Sequence, residues 1–168
     1  MILKLDDWVF DIQMVRTMEY SRNEADDHCT CGYCRNYYAA MDSHLPGLRQ
    51  LLAQFGVDAE APDTLCPYDL PGDRMLYEGE YLVFGRIVHA GSNPLQGCAE
   101  AGYLLQAISA SSHDPLNPCF LLSLEAAQLP WLLDEPLAEV ISAANDADFL
   151  QEMTDRLLQT QPDNKIPT

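Results

Sequence analysis

Alternation of apolar and polar residues near the start of the chain predicts a β-strand. Phe10, Ile12 and Met14 alternate with polar neighbours, which is the period of two expected for a half-buried strand. Residues 21–27 are polar and acidic and predict a loop. A helix is then expected to begin near Gly32 and to continue through an Ala- and Tyr-containing stretch.

A second helical segment follows the first after a short break. Pro46 interrupts the first helix and is suited to the first turn of the next one, because its missing N–H has no helical partner there. Gly56 is suited to the position just after a helix end. The apolar residues of this segment fall on one helix face: Leu48, Leu51, Leu52 and Phe55.

The middle of the chain predicts further strands. Residues 57–73 are rich in Pro, Asp and Gly, which predicts a long ordered loop carrying Cys66. Glu78-Gly79 suits a tight hairpin turn within residues 74–88, between a short strand and a longer one. Two short apolar runs bounded by Gly, Asn and Pro are also expected to be strands, residues 103–109 and 119–124.

The end of the chain predicts one more helix. Asn145 or Asp146 is suited to cap it, and its apolar face would comprise Phe149, Leu150, Met153, Leu157 and Leu158. Residues 161–168 are polar and are expected to be a disordered tail. The order of elements predicts a single α+β domain over residues 1–160, with a mainly antiparallel sheet of four to five strands, two N-terminal helical segments and a C-terminal helix.

The net charge of the chain limits the classes of partner that we expect it to bind. With 26 acidic and 9 basic residues, the formal net charge is −17. Phosphate backbones and anionic membranes would be repelled, so we expect no nucleic-acid or membrane binding, whereas a basic protein would be attracted. Aspartates interrupt the N-terminal apolar residues, so no signal peptide is expected, and the predicted compartment is the cytoplasm, where thiols stay reduced.

The strongest candidate for chemistry is a cysteine cluster. Three of the six cysteines lie in the C-x-C-x-x-C run formed by Cys29, Cys31 and Cys34. Zinc prefers four nitrogen or sulfur ligands, and a C-x-x-C pair supplies two of them from one turn. Cys29 or its neighbour His28 would supply the third ligand, and Cys66 is the first candidate for the fourth.

Two other interpretations of the cluster stay open. In a thiol-disulfide oxidoreductase, Cys31 would be the nucleophile and Cys34 the resolving thiol at a helix N-terminus. In a purely structural role, the cysteines would pack a tight corner while Thr30 or Asn36 bonds to backbone groups. Phosphate-binding, dinucleotide-binding and hydrolase motifs are absent from the sequence.

The sequence also resembles an uncharacterised family of small bacterial proteins. The likeness is carried by Cys31-x-x-Cys34-Arg35-Asn36, by Phe55-Gly56-Val57-Asp58, by the aromatic strand over residues 77–85, and by Pro130-Trp131. The resemblance implies a single domain and supplies no mechanism. We therefore expect a non-enzymatic, acidic, cytoplasmic binding protein, with a structural zinc site as the expected chemistry of its cysteine cluster.

Overall fold

A computed structural model describes residues 1–26, 28–95, 102–110 and 117–140. The chain divides into two compact units, Met1–Leu132 and Leu133–Thr168. In the second unit, residues 137–140 are helical. The elements of the first unit are, in chain order, β1 (Ile2–Leu5), β2 (Trp8–Ile12), α1 (Met14–Asp26), α2 (Gly32–His44), α3 (Leu48–Gln54), β3 (Thr64–Leu70), β4 (Arg74–His89), β5 (Leu104–Ser109) and β6 (Cys119–Pro130).

The six strands form one antiparallel sheet in the order β1-β2-β4-β6-β5, with β3 also paired to β4. The predicted α+β class with a mainly antiparallel sheet is confirmed, with more strands than the four to five expected. The predicted C-terminal helix over residues 149–158 and the tail lie outside the described residues, so the domain boundary at residue 160 stays a prediction.

Strand β4 organises the sheet because it is long enough to hold two partners along one edge. Its first half pairs with β3 and its last residues pair with β2. In the gap between those partners, Leu82 N–H donates to Asp63 Oδ2 at 2.6 Å and Phe84 N–H donates to Thr17 Oγ1 at 3.1 Å. These side chains satisfy backbone donors that would otherwise be unpaired.

The core forms where α2 and α3 cover one face of the sheet. Phe10 lies at its centre, with its ring 5.0 Å from Phe55 and 5.3 Å from Phe120 between centroids. Alternate residues of β4 and β6 are buried, as a period of two requires when one sheet face is covered. The helices contribute further fully buried side chains, namely Tyr37, Met41, Leu48 and Leu52.

Polar groups within this core are paired. Tyr37 Oη and Tyr81 Oη are hydrogen-bonded at 2.7 Å, and Tyr81 Oη donates to Ala59 O at 3.0 Å. Among the described residues, no buried side-chain nitrogen or oxygen atom is without a hydrogen-bond partner. The buried side-chain polar groups of the described residues are therefore satisfied within the protein.

Helix α1 occupies residues that were predicted to be the end of a strand and a loop. Its two fully covered residues are polar, since Thr17 bonds to β4 and Ser21 Oγ accepts a hydrogen bond from Asp58 N–H at 2.7 Å. Val15 and Met18, in contrast, are exposed. The prediction was wrong because this helix turns a polar stripe inward, which reverses the pattern of an ordinary amphipathic helix.

The hairpin prediction at Glu78-Gly79 was also wrong. Both residues lie inside β4, and the register between β4 and β6 shifts between Tyr77 and Gly79. The turn instead joins β3 to β4 just before Arg74, where Gly72 and Asp73 have positive φ angles of 81° and 51°. Gly79 thus lies at a β-bulge rather than in a turn, and β3 occupies part of the predicted loop.

Candidate metal centre

The three clustered cysteines converge at the start of α2. Cys29 lies in the connection from α1, Cys31 is the N-cap residue of α2, and Cys34 belongs to its first turn. Their sulfur atoms all lie within 4.8 Å of one another. Two thiolates on a tetrahedral zinc ion lie about 3.8 Å apart, given Zn–S bonds of about 2.3 Å. The cluster therefore has the dimensions of a site that could hold a metal ion.

Negative charge in the cluster is favoured on Cys29. Hydrogen bonding from the backbone N–H of Cys31 to the Cys29 sulfur lowers the pKa of Cys29. Hydrogen bonding from the thiols of Cys31 and Cys34 lowers it further. Burial, followed by hydrogen bonding to Cys29, raises the pKa of Cys34. Cys29 and Cys31 are exposed, whereas Cys34 is buried. The cluster thus has an accessible side and a covered side.

The first turn of α2 is fixed to the sheet beneath it by Asn36. This fully buried side chain donates from Nδ2 to Tyr77 Oη at 3.2 Å and to Pro130 O at 3.1 Å. Its Oδ1 accepts from Leu132 N–H at 2.7 Å. Tyr77 Oη in turn donates to Tyr33 O at 2.9 Å. These bonds hold the helix start, and Cys34 with it, in one position.

The preceding loop is tied to the same turn. Arg35 Nε donates to Thr30 O at 3.1 Å, which links the residue between Cys29 and Cys31 to the helix. The consecutive residues Cys34, Arg35 and Asn36 thus contact the thiol cluster, the loop and the sheet, respectively.

The cluster opens into a cavity of about 360 Å³. His28, Glu24 and Tyr38 line it together with the three cysteines. His28 Nδ1 lies 2.5 Å from Ala25 O. Because a carbonyl oxygen can only accept a hydrogen bond, Nδ1 carries the proton and Nε2 presents a lone pair suited to a metal ion.

Tyr38 also lines the cavity beside the three cysteines. Burial raises the pKa of the Tyr38 hydroxyl, and the charges of Cys34 and Cys29, together with hydrogen bonding to Cys34, raise it further. A donor of this kind orients a sulfur ligand and stabilises its charge. The spacing carried a signal for this role, because Tyr38 lies four residues after Cys34 on the same helix face.

Cys66, expected as the fourth ligand, is not brought to the cluster. Its neighbours Leu65 and Pro67 line the cysteine cavity, whereas Cys66 lines a separate depression with Thr64 and Glu78. Successive side chains of a strand point to opposite faces, so Cys66 is turned away. Across the described ranges, only Cys29, Cys31 and Cys34 form a group of metal-ligating atoms.

Comparisons with known proteins identify no family for this chain. No model of a protein family, no curated protein and no solved structure matches the chain. The resemblance to the uncharacterised bacterial family therefore stays a prediction. In the described part of the chain, the helices are all too short or too polar to cross a lipid bilayer.

Proposed function

We propose that this chain is a non-enzymatic protein that binds a zinc ion through Cys29, Cys31 and Cys34, with His28 as the fourth ligand. The observation that carries the proposal is the convergence of three sulfur atoms within 4.8 Å. Thiolate and imidazole are the ligands that zinc uses in closed tetrahedral sites.

His28 is the best fourth ligand among the residues that line the cavity. Its Nδ1 is held by the Ala25 carbonyl near the end of α1, which leaves Nε2 for the ion. Its ring also contacts Tyr38, with 5.3 Å between the centroids. His28 lies outside the group of ligand atoms within 4.8 Å of one another, so its exposed side chain would have to turn from Ala25 O toward the ion. The zinc ion would then brace the end of α1 against the start of α2.

Zinc binding would change the protonation of the cluster. Without an ion, burial keeps the pKa of Cys34 high. A bound cation favours the thiolate strongly, so binding would release protons and weaken as the pH falls. Proton release on zinc addition is therefore an expected signature, and it can be measured with a pH indicator in weak buffer.

The competing function is a thiol-disulfide oxidoreductase with Cys31 as nucleophile and Cys34 as resolving thiol. The thiol with the lowered pKa is Cys29, which lies outside that C-x-x-C pair, and its sulfur lies within 4.8 Å of both others. A convergence of three sulfur atoms supports metal binding over exchange by a pair of thiols. Metal-free protein that cycles Cys31 and Cys34 catalytically with a dithiol reductant would favour the enzyme instead.

A basic protein is the partner that we propose for the remaining surface. The proposal is supported by the net charge of −17, which would accelerate encounter with a positively charged protein. Binding of this kind weakens steeply with added salt. A pull-down at low and high salt tests it, and the absence of any salt-sensitive basic partner would contradict it.

Cobalt substitution tests the metal site directly. Cobalt(II) bound by three sulfur atoms and one nitrogen atom should give intense visible bands of a tetrahedral complex and sulfur-to-metal charge transfer. We expect Cys34→Ser to abolish these bands, His28→Ala to shift and weaken them, and the control Cys66→Ser to leave them unchanged. Bands lost in Cys66→Ser but retained in Cys34→Ser would contradict the assignment.

A further inference from the structure

The thiol cluster lies largely at the protein surface, next to the buried core. His28, Cys29 and Cys31 are exposed, and only Cys34 is buried. The candidate ligands all come from residues 28–34, so an ion there would link no distant parts of the sheet. The buried side-chain polar atoms in the described ranges already have partners. An ion is thus not needed to complete the core.

This arrangement differs from a site that holds a fold together. Structural zinc ions in small domains join separate segments, and such domains unfold without metal. Here the covered face of α2 is held by Asn36, Tyr37 and Tyr77 through hydrogen bonds to other parts of the protein. Of the three cysteines, only Cys34 is buried, and Cys29 and Cys31 are exposed.

We propose that the zinc ion is an exchangeable cargo that passes to an acceptor carrying thiolate ligands, an inference that rests on the proposed function. The cavity of about 360 Å³ beside the cluster gives an incoming sulfur ligand access to the ion. Soft thiolate ligands compete well for zinc. The acceptor is therefore a cysteine-containing metal site rather than a carboxylate site.

The order of ligand release follows from exposure. An incoming thiolate sulfur would form a bond to zinc as the bond from zinc to the exposed His28 nitrogen breaks. Further acceptor ligands would then displace the exposed Cys29 and Cys31, and each released thiolate would take up a proton from solvent. Cys34 would be released last because it is buried. Zinc stays divalent throughout, so the transfer needs neither an oxidant nor a reductant.

Transfer kinetics from the full chain test this inference. The zinc content of the reconstituted protein is measured first, and the protein is then mixed with increasing amounts of a metal-free Cys₂His₂ zinc-finger peptide. We expect the rate of transfer to double when the peptide concentration doubles, while the near-ultraviolet circular dichroism of the donor is retained. Cys66→Ser, the control outside the cluster, should transfer zinc at the same rate as the parent chain.

Two failures are distinguishable. A reconstituted chain that holds no zinc would overturn the proposed function, and the cargo inference with it. A chain that holds about one zinc ion but releases it at a rate independent of the peptide concentration, or only with loss of its tertiary signal, would overturn the cargo inference alone.

Discussion

The two sides of helix α2 differ in exposure and in what their residues contact, although these residues are neighbours in sequence. On the sheet side, Asn36 and Tyr37 are fully buried, and their polar atoms bond to protein partners. On the outer side, Cys31 is exposed beside Cys29, and both lie within 4.8 Å of the sulfur of Cys34. We therefore expect folding and metal binding to be separable, although Cys34 and Asn36 lie in one helical turn.

Alkaline pH should lower the stability of the fold through its buried tyrosines, and this is the largest effect that we expect. Burial raises the pKa values of Tyr37, Tyr77 and Tyr81 above the ordinary value of 10.0. Above that pH, tyrosines of the unfolded state lose protons that the native state keeps. Stability is thus fully present below pH 10.0 and falls as the pH rises further.

Tyrosinate absorbance and circular dichroism, recorded together, check this expectation. The three buried hydroxyls should titrate only as the tertiary signal is lost. Titration of all eight tyrosines near pH 10.0 with the tertiary signal intact would contradict the described core.

Asn36→Ala should be the next most damaging change. It removes three hydrogen bonds and leaves the buried Tyr77 hydroxyl and two backbone groups with fewer partners. We expect the free energy of unfolding to fall by about 3 kcal/mol, as measured by urea denaturation of the metal-free protein. Asn23→Ala, on the exposed surface of α1, is the matched control and should change it by less than about 0.5 kcal/mol. Equal effects would refute the anchoring role.

Tyr38→Phe tests the residues beside the proposed metal site. It removes the hydroxyl whose pKa is raised by burial and by Cys34, and it retains the ring. We expect zinc affinity to fall about tenfold in competition with a chromogenic chelator, because second-shell donors tune metal ligands. Tyr68→Phe, at an exposed tyrosine of β3, should have no effect on affinity. An unchanged affinity in Tyr38→Phe would remove this residue from the site.

Cys29→Ser should have the smallest effect on folding. The side chain is exposed, so the free energy of unfolding of the metal-free protein should change by less than about 0.5 kcal/mol in urea denaturation. The same variant should lose most of its zinc affinity. A large loss of stability without metal would show that the two sides of α2 are not separable.

Much of the fold could be predicted because burial on one sheet face leaves a period of two. The strand residues around Tyr81 and Leu122, and the apolar face of α3, follow the expected patterns. Helix α1 escaped prediction because its covered residues, Thr17 and Ser21, are polar. Their partners, Phe84 N–H and Asp58 N–H, lie 67 and 37 residues away in sequence.

The candidate site was predicted in part for a similar reason. Cys29, Cys31 and Cys34 are close in sequence, so the local chain alone brings them together. The side of β3 that Cys66 faces could not be predicted from the sequence, because it depends on the register of the strand. A strand position one residue before or after Cys66 would face the cysteine cavity, as Leu65 and Pro67 do.

A zinc titration of metal-free, isotope-labelled protein, followed residue by residue in amide NMR spectra, shows whether the protein folds before it binds the ion. We expect a dispersed spectrum before zinc is added. We also expect spectral changes that are confined to the surroundings of residues 28–38 and that saturate at about one zinc ion per chain. A spectrum that disperses only when zinc is added, or one that zinc leaves unchanged, would contradict the separation of metal binding from folding.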